Sequence, residues 1–123
     1  MMLFFAMLLA LAQTQPHLAI EPWTGSDFQT TSLTAAKYRL EVSGRPNDVL
    51  HLSAKNVASG WLAAFCTPRL CSPQRLDVTL PSSGLAVLQF ELIRESGGAP
   101  KRSGATIAVD SGASVRVPEA YRG

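Results

Sequence analysis

This sequence predicts an all-β chain: six or seven short antiparallel strands, folded as a β-sandwich or barrel behind an N-terminal signal helix. Three observations predict it. Apolar residues recur at every second position through most of the chain. Clusters of Gly, Pro, Asn, Asp and Ser interrupt them at short intervals. No segment after the leader offers three uninterrupted turns of helical periodicity.

The leader comes first. MMLFFAMLLALA is an apolar run that ends at polar QTQP, and Ala10-Leu11-Ala12 matches the small-x-small pattern that signal peptidase reads. Cleavage is therefore expected after Ala12, with residues 1–12 as a signal peptide. No Lys or Arg precedes the run, which departs from the usual pattern. A membrane span needs about twenty apolar residues, and Gln13 to Gln15 interrupt too soon. No stable span is expected once the signal is gone; an uncleaved anchor is the alternative. The mature chain is expected to be exported, periplasmic or secreted, where disulfides persist.

The strands follow in order. Residues 13–34 form an N-terminal segment in which HLAIEPW reads as an edge strand, because Pro22 is tolerated only at an edge or a bulge. The sandwich is expected over residues 35–118, with a short tail over 119–123. Tyr38, Leu40 and Val42 alternate with Arg39, Glu41 and Ser43. Leu50, Leu52 and Ala54 alternate with His51 and Ser53, and Leu76, Val78 and Leu80 with Asp77 and Thr79. Period two sends successive side chains to opposite faces, one dry and one wet. Leu85 to Ile93 carries apolar residues on both faces and reads as a long central strand. Ala105–Val109 and Ser114–Val117 complete the set. The turns are SGRPND, VASG, LPSSG, SGGAPKRSG and DSGAS, where Gly permits positive φ and Pro fixes φ.

The bulk numbers bound the function. The chain has 123 residues, enough for one ordinary domain, and its 46% hydrophobic content is enough for a core. Charged residues are only 16% and the net charge is +2, too small a balance to signal nucleic acid. No G-x-S-x-G elbow or glycine-rich phosphate loop is present. The serines sit in turn clusters, and His51 falls on a wet face by alternation. The chain reads as a non-enzyme that uses no cofactor. A small hydrolase dependent on His51 is a minor alternative.

The order GRPNDVLHLSAKNV, GW, LPSSGLAVLQFELI and SGATIAVD resembles the immunoglobulin-like modules of the NEW3 type in exported bacterial and archaeal proteins. Gly44 to Val49, Asn56, Gly60-Trp61, Pro81 to Ile93 and Gly104 to Val109 carry the resemblance, over about 70 residues. It implies an immunoglobulin-like antiparallel sandwich and an accessory or adhesive role. It carries over no catalytic residue, and the Cys66–Cys71 pair lies outside the family pattern.

Cys66 and Cys71 are the only two cysteines, five positions apart around TPRL. A structural disulfide across that turn is the leading reading. A redox dithiol is the second, although the familiar motif has two intervening residues and a following helix. A metal site is the third and is not expected, since only His17 and His51 could add imidazole and every Met lies in the leader. Trp61 and Phe65 flank Cys66; core packing is favoured over an aromatic platform. Trp23 and Phe28 suit core or contact surface equally. Arg69, Arg75, Arg94, Lys101 and Arg102 fall in or beside loops. If the loops converge, they form a cationic rim; otherwise they are scattered solvated charges. The expected function is a non-catalytic binding or structural module at the envelope or outside the cell. Trp61, Arg69, Arg75, Lys101 and Arg102 are its possible contacts, with an envelope or extracellular protein or glycan as partner. The alternative is a periplasmic thiol-disulfide protein using Cys66 and Cys71.

Overall fold

The computed structural model describes residues 15–23, 35–95 and 103–118. The expected signal peptide over 1–12, Phe28, Lys101, Arg102 and the tail over 119–123 lie outside them. No helix among the described residues is long and apolar enough to cross a membrane. Nine strands are described: β1 (His17–Pro22), β2 (Ala35–Ser43), β3 (Val49–Lys55), β4 (Trp61–Cys66), β5 (Cys71–Pro73), β6 (Arg75–Thr79), β7 (Leu85–Arg94), β8 (Thr106–Val109) and β9 (Ser114–Arg116). They form two sheets, ordered β1-β2-β7-β4-β5 and β6-β3-β8-β9. Every pairing is antiparallel.

Alternation places the core between the sheets. Leu40 and Val42 of β2, Phe65 of β4 and Leu88, Phe90 and Leu92 of β7 join Leu50 and Leu52 of β3 and Ile107 and Val109 of β8 in one buried cluster. Phe90 sits at its centre. Its ring centroid lies 5.1 Å from that of Phe65 and 6.2 Å from that of Tyr38, both tilted, a geometry aromatic quadrupoles favour. Burying each such side chain contributes roughly 1.5–3 kcal/mol against the entropy of ordering the chain.

β1 is an edge strand that ends on Pro22, as its proline requires. Two strands, β4 and β5, were not legible in the alternation. In β4 only Leu62 is exposed, while Ala63, Ala64, Phe65 and Cys66 are all buried. Burial on both faces erases a period of two. β5 is three residues long, too short for a period.

Two local features set the geometry. Gln74 separates β5 from β6 with φ 63°, a left-handed conformation uncommon outside Gly. Its N–H donates to the Ala63 carbonyl in one sheet, and its own carbonyl accepts from the Ala54 N–H in the other. One residue thus turns the chain from sheet to sheet while satisfying both backbone groups. At the β6–β7 turn, Gly84 has φ 75° and its carbonyl accepts the Gly44 N–H. A Cβ on Gly84 would stand 2.6 Å from the Gly44 carbonyl oxygen, so the close approach needs glycine.

Candidate functional site

The two sheets differ in what their outer faces do with charge. On the five-stranded sheet the charges pair within the chain. The Lys37 ammonium stands 3.4 Å from Glu91 Oε1, and the Arg39 guanidinium 3.0 Å from Glu41 Oε1. Gln89 is 4% exposed, and its Nε2 donates to Glu91 Oε1 at 2.6 Å. Its own Oε1 is buried without a partner among the described residues.

The disulfide belongs to this outer face. Cys66 and Cys71 are register partners on β4 and β5, with Cα atoms 4.0 Å apart, and their sulfurs are bonded. The hairpin around them is locally specified. The Thr67 N–H donates to the Leu70 carbonyl, while Thr67 Oγ1 accepts from the N–H groups of Arg69 and Leu70. Pro68 supplies the fixed φ that the first turn position requires. Cys66 is buried and Cys71 exposed. Glu91 brings a carboxylate close enough to complete a three-ligand set with the two sulfurs. Joined as a disulfide, the sulfurs offer no thiolate, and Lys37 already engages that carboxylate.

The four-stranded sheet presents a different outer face, a shallow groove of about 850 Å³. Register sets three successive rows of side chains across this face, with Val49 and Thr79 in a fourth beyond the first. Asp77, His51 and Asp110 form the first, through the His51↔Asp77 pairing and the Asp110 N–H donating to the His51 carbonyl. Arg75, Ser53, Ala108 and Ser114 form the second. Lys55, Thr106 and Arg116 form the third. Along β3, β8 and the strands beside them these rows run from acidic through small and neutral to basic, with Arg75 adding one cation to the middle row on edge strand β6. Among the described residues Lys55, Arg75 and Arg116 have no ion-pair partner.

His51 Nδ1 lies 2.6 Å from Asp77 Oδ1, with 55% and 71% of the two side chains exposed. The hydrogen bond to Asp77, then its charge, raise the His51 pKa; the small desolvation opposes, and Asp110 adds to the rise. The pair reproduces two parts of a hydrolytic triad. The third requires a serine hydroxyl on the other ring nitrogen. Among the described residues no serine bonds to His51, and both groups stand in open water.

Those of the residues singled out from the sequence that the structure describes do not converge. Trp61 lies in the core at 8% exposure, as packing requires, and its indole N–H is buried without a partner among the described residues. Arg69 is exposed at the hairpin tip of the five-stranded sheet, whereas Arg75 stands in the groove of the other. Lys55, Asp77, Ser114 and Arg116 went unmarked, because only strand register brings them together. The chain matches no protein-family model and no curated protein.

Proposed function

We propose that this chain is an exported, non-catalytic module with an immunoglobulin-like arrangement of its two sheets, and that it binds an envelope or extracellular macromolecule through the outer face of the four-stranded sheet. The groove and its rows carry this reading: a broad, shallow, open surface whose Lys55, Arg75 and Arg116 are unpaired among the described residues suits contact with a large partner more than the enclosure of a small substrate. Arg75 belongs to that contact surface, with Arg69 outside it. The apolar leader and the disulfide support export, since disulfides form chiefly in oxidising compartments.

Site-specific cross-linking tests it. A photo-reactive residue at Ser53 or Ala108 in the producing cell is expected to yield a discrete adduct, and one at the exposed turn residue Ser82 none. Absence of adducts from both groove positions would contradict the reading.

A second reading has one observation in its favour. The exposed Cys71 beside the buried Cys66 offers one sulfur to an incoming thiol, as a thiol-disulfide protein requires. Its discriminating quantity is the reduction potential of the pair.

A further inference from the structure

The three rows of the four-stranded face are self-complementary, and we propose that the partner it fits best is a second copy of this chain. The inference rests on the reading of that face as a contact surface.

The register supplies the argument. Rows on one face of a strand repeat at about 6.8 Å, so the acidic and basic rows lie roughly 14 Å apart with the neutral row midway. A two-fold axis lying in the interface, across the strands and through the neutral row, turns one copy onto the other. The acidic row of each copy then covers the basic row of its mate. Asp110 comes to lie over Thr106 of the second copy, in the notch between that copy's Lys55 and Arg116, which flank Thr106 on β3 and β9. Lys55 comes to lie over His51 of the second copy, between Asp77 and Asp110. The operation is isologous, so each contact forms twice.

The middle row permits the approach. Ser53, Ala108 and Ser114 are small, so over β3, β8 and β9 two sheets can close toward the usual spacing of about 10 Å, with Arg75 the one bulky side chain of the row. Each residue of this row meets its own counterpart, and Arg75 is the charged one among them; it stands on edge strand β6, where water and salt screen the repulsion. Lys37, Arg39, Glu21, Glu41 and Glu91 on the outer face of the other sheet are paired with one another, whereas Lys55 and Arg116 have no such partner among the described residues. Four strands and three rows cover roughly 400 Å² per copy. That lies at the low end for protein interfaces, so the association is weak and depends on concentration and salt.

Charge reversal in two halves tests it. Sedimentation of the purified chain at low salt is expected to show a monomer–dimer equilibrium below about 1 mM that weakens as salt is added. D77K/D110K makes both outer rows basic, and K55E/R116E makes both acidic. Each variant alone is expected to lose at least about tenfold in self-association, and their equimolar mixture to recover a dimer. Circular dichroism confirms that each variant is folded, and A108W, a steric block in the neutral row, gives an independent loss. A wild type that stays monomeric at about 1 mM, or a mixture that recovers nothing, overturns the proposal. A monomer that still cross-links from Ser53 to an unlike partner overturns self-pairing and keeps the face; a monomer with no cross-link overturns both.

Discussion

The Tyr38 hydroxyl donates a 2.6 Å hydrogen bond to the carbonyl oxygen of Pro118, tying the second strand to the last described residue. The ring is fully buried in the core, and its polar tip meets a backbone acceptor that would otherwise lose water. Y38F keeps the ring and removes the bond, so it is expected to cost about 1–2 kcal/mol in urea denaturation. Burial raises the Tyr38 pKa above 10.0, partly offset by a hydrogen bond to Ser103. Its contribution is complete below that ordinary value and is lost as pH climbs through the higher folded one. Y38F should therefore also reduce the alkaline sensitivity of the fold; an unchanged stability and alkaline profile would show that the bond contributes nothing.

His51 gives the pH dependence near neutrality. Its pKa is raised by Asp77, so folding favours the protonated ring. The stabilisation is complete below about 6.5, the unfolded value, and fades as pH rises through the folded value. D77N is expected to move the His51 imidazole titration downward, followed by proton NMR, and to flatten melting temperature against pH in that window. An unmoved titration would deny the pair its role.

The turn glycines separate backbone strain from steric conflict. Gly112 has φ 109° and only open space where a Cβ would stand, so G112A carries the conformational cost alone, about 1 kcal/mol. Gly84 adds the collision with the Gly44 carbonyl, and G84A is expected to cost on the order of 3 kcal/mol. Equal losses in thermal denaturation would mean that the approach of the two backbones relaxes freely.

The disulfide closes a short ring on the outer face, and the core cluster does not include it. Chain entropy assigns so small a loop about 2 kcal/mol. C66A/C71A is expected to stay folded, with that loss in denaturant and an unchanged far-ultraviolet spectrum. A variant that cannot fold would make the bridge a condition of the architecture.

The sequence announced what a period of two can carry. The alternation around Leu40, Leu52 and Val78 marked β2, β3 and β6 and put His51 on a wet face, where it stands. Pro22 marked an edge, and TPRL marked a turn. β4 stayed hidden because Ala63, Ala64, Phe65 and Cys66 are buried on both faces. The sheet change at Gln74 stayed hidden because a left-handed glutamine has no sequence signature. The three rows were out of reach for a further reason. Asp77 and His51 come from two strands and Asp110 from the turn that follows a third, and only pairing between the strands sets them side by side.

The proposed reading makes Cys66–Cys71 a fixed brace in a module that binds without reacting. The hairpin holds the two cysteines as register partners, so on this reading their thiols face each other at high effective concentration and the bridge is expected to resist reduction. The most direct test is thiol titration of the purified chain across a dithiol redox series. The account predicts a midpoint more negative than about −300 mV, the range of structural bridges. A midpoint between about −270 and −120 mV, where catalytic dithiols work, would contradict it and favour a thiol-disulfide protein.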